Sequence, residues 1–282
     1  MKSKTILITG CSSGIGHDAA VSLTKQGHQV IASCRKEADV DTLIAQGIDA
    51  VQLDVNDRHS IQAGFREALD KMGGRLDVLI NNAGYGQSGA LEDIPYDALL
   101  DQFTTNVFGL MAVTKLAIPV MRQQGEGRII NLSSILGVIS LPFRGAYNAS
   151  KYAVEGLSDT LRLELKPSGI KVITIEPGPI ESRFRDNSID YSLKKIDIEH
   201  SHFKANYQFM MGEFRDKKAD SIFTRKTDAV IAKLIHAIES NNPKAKYPVT
   251  FPAHLFVALK RILPVKAFDR VLSYISAKEL TK

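Results

Sequence analysis

The sequence predicts an α/β fold built on one doubly wound parallel sheet of about seven strands, and three observations carry that prediction. Short β-branched, apolar runs alternate with stretches of helical periodicity along most of the chain. Such alternation favours right-handed crossovers that bury a parallel sheet between two layers of helices. The first apolar run, Thr5 to Ile8, leads into Gly10-x-x-x-Gly14-x-Gly16, and the pattern Ile15, Ala19, Ala20, Leu23 continues as a helix. Finally, 282 residues of which 44% are hydrophobic can bury one large core, so a single domain over 1–282 is expected rather than two smaller ones.

Taken in order, strands are expected near 4–9, 28–34, 48–53, 76–81, 127–133, 170–176 and 246–250, and helices near 15–26, 38–46, 57–72, 96–123, 146–167 and 227–240. The helix near 96–123 rests on the apolar pattern Phe103, Val107, Leu110. A polar residue, Asn106, interrupts that pattern. The strand near 127–133 is the run RIINLSS, and the helix after it carries GAYNASKYAVEGL. Residues 183–226 read as a loop-and-helix insertion in which Phe184, Tyr191, Phe203, Tyr207, Phe209 and neighbouring methionines sit among charges. That composition suits a lid over an apolar ligand, or a segment that fills core. The end of the chain, 253–282, alternates Leu, Phe, Val and Ile with Lys and Arg, and Pro264 divides this amphipathic extension into two short helices.

Two local patterns carry chemistry. In the glycine turn, Gly10, Gly14 and Gly16 let the backbone bend and approach a pyrophosphate, which then meets the amides of the new helix at Ser12, Ser13, Gly14 and Ile15. No Gly-Lys-Ser/Thr follows, so this is not a Walker loop. The second pattern is Tyr147-x-x-x-Lys151 with Ser134 thirteen residues upstream. The i,i+4 spacing puts the phenol and the ammonium on one helix face. A free tyrosine titrates near ~10, and a neighbouring positive charge is expected to bring that value down.

These pieces, with Asp54-Val55 after the third strand, Asn81-Asn82-Ala83-Gly84 after the fourth, Asn106, and Pro177-Gly178 after the sixth, occur in the order that marks the short-chain dehydrogenase/reductase family, which the chain closely resembles over roughly 180 residues. The resemblance implies a Rossmann-type fold and hydride transfer to or from a nicotinamide cofactor. It implies that Tyr147 exchanges a proton with the substrate oxygen, that Ser134 hydrogen-bonds the same oxygen, and that Lys151 tunes the phenol and reaches the nicotinamide ribose. Asn106 would hold a water joining Lys151 to solvent. Ser133 competes with Ser134 for its role, since adjacent strand residues face opposite ways; the family spacing favours Ser134. Asn82, Ala83 and Gly84 would line the adenosine ribose, Asp54 and Val55 the adenine, and Pro177, Gly178, Ile180 and Ser182 the carboxamide side. The combination TGCSSGIG, ASCR and EPGPI looks like the branch of 17β-hydroxysteroid and retinol dehydrogenases and bacterial NADP-dependent aldehyde reductases.

Cofactor choice is read at the end of the second strand. An acidic residue there would accept the ribose hydroxyls of NAD, whereas this chain has Ser33-Cys34-Arg35-Lys36. Arg35 can fork onto a 2′-phosphate, with Ser12 adding a hydroxyl, so NADP(H) is expected. The expected substrate is a small apolar carbonyl compound or its alcohol. Two other classes share parts of this pattern: an NAD-dependent epimerase or dehydratase of the extended family, opposed by Arg35 and the short chain, and an NADPH-binding sensor, opposed by the intact tetrad. A net charge of +5 spread along the chain, without a basic block, points away from nucleic acid. The basic amphipathic tail admits a peripheral membrane contact, but packing over the pocket or in a homodimer or homotetramer is the favoured expectation. Cys11 and Cys34 make no disulfide framework or zinc spacing, no metal is expected at His200 and His202, no signal peptide or spanning stretch is read, and a cytoplasmic location is expected.

Overall fold

Side chains alternate across the first two strands and so divide the core. Ile6 and Ile8 of β1 (Thr5–Ile8) and Val30, Ala32 and Cys34 of β2 (Gln29–Cys34) join one buried cluster, while Leu7 and Ile31 join the other. This is the period of two that a strand imposes, with both faces apolar because both are covered. The structure is a computed structural model and describes residues 3–181, 191–215 and 224–280. The remaining strands are β3 (Ala50–Gln52), β4 (Val78–Asn81), β5 (Gly127–Leu132), β6 (Ile170–Glu176) and β7 (Lys246–Pro248). Among the described residues they form one seven-stranded sheet in the order β3-β2-β1-β4-β5-β6-β7, every pair parallel.

One face is covered by α1 (Gly14–Lys25), α2 (Glu37–Ala45) and α8 (Asp228–Glu239), through residues such as Leu23, Leu43 and Leu234. The other is covered by α3 (Arg58–Lys71), α5 (Leu110–Gln124) and α6 (Gly145–Glu164), through Phe65, Val113, Met121 and Leu161. The strand order reverses between β1 and β4, so the carboxyl ends of β1, β4, β5 and β6 open onto one crevice, where such sheets bind ligands.

The helix expected over 96–123 is interrupted in its hydrogen bonding. After α4 (Tyr96–Phe103), residues Thr104–Gly109 form a π-helical turn before α5 begins. This run, Tyr96–Gln124, corrects the expectation that no stretch is long and apolar enough to span a bilayer, because by length and composition it is. Its second half packs against the sheet through Val113, Ala117 and Met121. Pro264 separates α9 (Phe251–Ile262) from α10 (Val265–Leu280), as expected, and the pair packs Ala253, Phe268 and Leu272 onto Ile135 and Ile139.

Within the proposed lid segment, Ser182, Phe184 and 183–190 lie outside the described residues. The helix α7 (Lys204–Arg215) builds a small core in which Tyr207 and Met210 pack with Phe143, Ala90 and Ile196. Tyr207 is fully buried; its hydroxyl donates to Asp93 at 2.8 Å and accepts from the Ala90 amide at 2.8 Å. Tyr207 is therefore a pillar of this small core, which at this residue matches the core-filling alternative for the segment.

Candidate active site

The glycine turn has the shape of a cradle. Gly10 has φ +73°, and a Cβ there would lie 2.7 Å from the Ala83 Cα; a Cβ on Gly16 would lie 2.3 Å from Asn82 Nδ2 and 2.4 Å from the Gly10 carbonyl oxygen. Glycine is therefore required on steric grounds at both positions. The Asn82 amide donates to the carbonyls of Thr9 (2.9 Å) and Gly10 (2.8 Å), while the Thr9 hydroxyl accepts from the amides of Asn82 (3.0 Å) and Ala83 (3.1 Å). Asn82, just after β4, thus braces the glycine turn. The bracing role of Thr9 was not singled out from sequence, although it opens the same motif.

Ser13 occupies the N-cap of α1 without a side-chain capping bond, and the first turn holds no acidic residue. The first amides of the helix thus face the turn without a competing carboxylate, which fits a bound anion. Ser12 is exposed beside it, Gly14 has φ +62°, and Ile15 packs against the core. At the end of β2, Arg35 and Lys36 are exposed, and among the described residues neither forms an ion pair. The Arg35 carbonyl is held by Gln52 Nε2 at 3.1 Å, which fixes the turn and leaves the guanidinium extended toward solvent. Asp54 accepts from the Asn56 amide at 2.9 Å, and Val55 is buried where Gly109 passes so closely that a Cβ would meet the Val55 oxygen at 2.4 Å.

On the other side of the crevice, β5 ends at Leu132 and hands the chain to Ser134, while α6 brings in Tyr147 and Lys151. Ser134 hydrogen-bonds the Tyr147 hydroxyl. Its Oγ also accepts from the Leu136 amide at 3.1 Å. Ser133, by contrast, is buried without a hydrogen-bond partner among the described residues, and its Oγ lies under Gly137. Lys151 is buried, 5.7 Å from the Tyr147 ring centroid, and its ammonium donates to the Leu132 carbonyl at 2.6 Å.

The electrostatics differ from the expectation that Lys151 depresses the tyrosine. Burial pushes the Tyr147 phenol up to about 12, against a smaller lowering by the Ser134 hydroxyl. Burial also lowers Lys151 to about 8, opposed by the charge of Glu155. Desolvation is the leading cause for both groups, and the ammonium is anchored on a backbone carbonyl.

Asn106 sits in the π-helical turn, fully buried. Its Oδ1 accepts from the Tyr85 amide at 3.0 Å, and its Nδ2 donates to the Tyr85 carbonyl at 2.9 Å and to Ser150 Oγ at 3.1 Å. It ties the segment after β4 to α6, one residue before Lys151. Gly84 packs against it, with a Cβ position 3.0 Å from Asn106 Oδ1. Pro177 is buried and its carbonyl accepts from the Ile135 amide at 2.8 Å. Gly178 has no room for a side chain, since a Cβ would fall 2.0 Å from Thr250 Oγ1. Ile180 bridges to Arg225. Among the described residues no group of three or more His, Cys, Asp and Glu side chains comes together as a metal site.

Comparison with known proteins agrees with this architecture. The profile of the short chain dehydrogenase family matches residues 4–191. The chain belongs to the short-chain dehydrogenase/reductase family. It is 40% identical over 269 residues to the uncharacterized oxidoreductase YbbO of Escherichia coli K12, covering 95% of this chain and 94% of that one. It is 32% identical to 17-beta-hydroxysteroid dehydrogenase type 6 of Rattus norvegicus, covering 97% and 89%. Among solved structures, a short-chain dehydrogenase from Streptomyces avermitilis superposes with a TM-score of 0.75 at 28% identity over 99% of this chain and 97% of the other. ElxO with NADP bound superposes with a TM-score of 0.72 at 26% identity, covering 88% and 97%. The chain is thus an oxidoreductase of this family.

Proposed function

We propose that this oxidoreductase uses NADP(H) to interconvert an apolar aldehyde or ketone and its alcohol, with Tyr147 as the acid and base. The observation that carries the reading is the meeting of Ser134, Tyr147 and Lys151 at the carboxyl end of β5, across the crevice from a glycine turn that opens the first helix and suits a pyrophosphate. The nicotinamide dinucleotide, when bound, supplies or accepts the hydride. Gly10, Gly16 and the free amides of α1 would hold its pyrophosphate, and Arg35 its 2′-phosphate. The NADP bound to ElxO supports that choice.

The chain's own groups account for the proton. A phenol held near 12 keeps its proton throughout the neutral range, so Tyr147 is ready to donate it to a carbonyl oxygen as negative charge develops there. Ser134 adds a second hydroxyl beside the same point and fixes the phenol's direction. Lys151 contributes positive charge behind the phenol, which stabilises the phenolate left after transfer. The test is NADPH consumption against a panel of aldehydes, ketones, steroids and sugars, with NADH in parallel. Tyr147→Phe is expected to lose on the order of 10²–10⁴-fold in turnover while NADPH affinity stays nearly unchanged. Turnover retained in that variant would remove Tyr147 as the acid, and a sugar outcompeting every apolar carbonyl would overturn the substrate class.

A further inference from the structure

Behind Lys151, on the side away from the crevice, the same helix face carries a third titratable group. Glu155 lies one turn beyond Lys151 on α6 and is buried, with 6% of its surface exposed. Its Oε2 accepts from Lys246 Nζ of β7 at 2.7 Å and from Thr174 Oγ1 of β6 at 3.4 Å, while its Oε1 has no partner among the described residues. Two residues after Thr174, on the same face of β6, Glu176 is 1% exposed, and its Oε1 is likewise without a partner. Two carboxyl groups therefore share one buried space. A Cβ on Gly137 would meet Ser133 Oγ at 2.7 Å, the Lys151 carbonyl at 2.9 Å and Glu155 Cγ at 3.1 Å, which puts this space directly beneath the loop that presents Ser134.

Two adjacent buried carboxylates with bonds to only one ammonium cannot both ionise at little cost. We propose that Glu155 and Glu176 act as one buried carboxyl pair that carries a single negative charge, and that this charge is what keeps Lys151 an ammonium. The inference rests on Lys151 belonging to the reactive site as read above. Glu176 is the member that holds the proton: its burial, and then the charge of Glu155, push it up to about 7. Glu155 is the member bonded to an ammonium, that of Lys246, whose Nζ also reaches Asp159 at 3.1 Å. Groups facing the pair are Lys151 and Asp159 from α6, Lys246 from β7 and Arg261 from α9. Glu155 opposes the lowering of Lys151 by burial. Both glutamates are thus positioning residues, acting on the reaction through the lysine.

The pair is tested in the full chain by following the Lys151 and glutamate side-chain carbon shifts across pH, together with the pH profile of NADPH-dependent turnover. Glu176 of the unsubstituted protein is expected to titrate near neutrality. In the double variant Glu155→Gln with Glu176→Gln, the Lys151 midpoint should fall by about one pH unit or more, and the alkaline limb of turnover should move with it. Glu176→Gln alone should leave Lys151 nearly in place, because the Glu155 carboxylate remains. Should the double variant fail to fold, Glu155→Gln and the titration of Glu176 in the unsubstituted protein decide the matter. An ordinary carboxylate midpoint for Glu176, a Glu176 midpoint unmoved in Glu155→Gln, or a Lys151 midpoint indifferent to loss of both carboxyl groups, overturns the pair. A shifted Lys151 in a protein that reduces no carbonyl overturns the functional reading and leaves the pair standing; normal turnover with an unmoved Lys151 does the reverse.

Discussion

On the function proposed above Lys151 serves the reaction, yet it costs the fold stability, and the sign follows from its depressed midpoint. Because the folded protein holds the lysine near 8 while an unfolded chain holds it near ~10.4, folding disfavours its charged form. The penalty is complete below the folded value and disappears as pH rises from about 8 to about 10.4. Lys151→Met is therefore expected to abolish turnover yet stabilise the protein at pH 7 by on the order of 1–2 kcal/mol, reduced by the lost bond to the Leu132 carbonyl. Thermal melts at pH 7 and 10 check this, since the gain should shrink at the higher pH; a variant less stable at pH 7 refutes it. Arg35 carries the second prediction at this scale. With no ion partner among the described residues to keep it elsewhere, Arg35→Ala should weaken NADPH by about tenfold to a hundredfold, the loss of a charge-assisted bond, and leave NADH nearly unchanged. Equal weakening of both cofactors would make Arg35 structural. The spacing of Ser134, Tyr147 and Lys151 was legible in the sequence, whereas the direction of the phenol's shift was not, because desolvation depends on burial that no local pattern encodes.

At the scale of elements, the glycines separate positions that need the absence of a side chain from one that tolerates its presence. In α1, Gly16 faces Asn82 Nδ2 and the Gly10 oxygen at distances no Cβ can occupy. Gly16→Ala must push the helix from the turn, and it is expected to lose dinucleotide binding with a stability cost of on the order of 1–3 kcal/mol. Gly156 in α6 has nothing within 4 Å of its Cβ position and is exposed. Gly156→Ala should stabilise the protein by about 0.5–1 kcal/mol through helix propensity and the entropy of the unfolded chain. Denaturant titration of the two variants checks the pair of signs, and a destabilised Gly156→Ala would mean that this face of α6 is occupied in solution. The expected strand and helix positions agree with the observed ones because the central strands are buried on both faces and each covering helix on one, which leaves a strong apolar period. The π-helical turn at Thr104–Gly109 was not legible, since it adds no change in apolar spacing; the polar Asn106 inside an apolar pattern was its sole trace.

For the whole molecule, the order of the strands puts Ser134, Tyr147 and Lys151 at one crevice, while the small aromatic core around Phe143 is assembled from distant parts of the chain. Phe143, in the loop between Ser134 and Tyr147, has φ +57° and stacks edge-on against Phe203 at 5.3 Å and Tyr207 at 5.6 Å. A left-handed conformation at a non-glycine residue persists only where surrounding contacts enforce it. These contacts couple α7 and the segment before it to the loop that leads into Tyr147, a relation between residues 143 and 203–207 that sequence spacing does not reveal. Tyr207 and Phe209 should consequently behave differently. Tyr207→Phe removes two buried bonds, to Asp93 and Ala90, and is expected to destabilise the protein by about 1–3 kcal/mol without favouring any substrate. Phe209 is half-buried on α7 and lies outside that small core. If α7 closes over an apolar chain, Phe209→Ala should raise the Michaelis constant most for the longest aldehydes, because each CH₂ withdrawn from water contributes ~0.8 kcal/mol. A homologous series of straight-chain aldehydes measures this as a difference in slope between parent and variant. Parallel slopes would mean that the chain is bound elsewhere and that α7, like Tyr207, serves only to hold Phe143 in place.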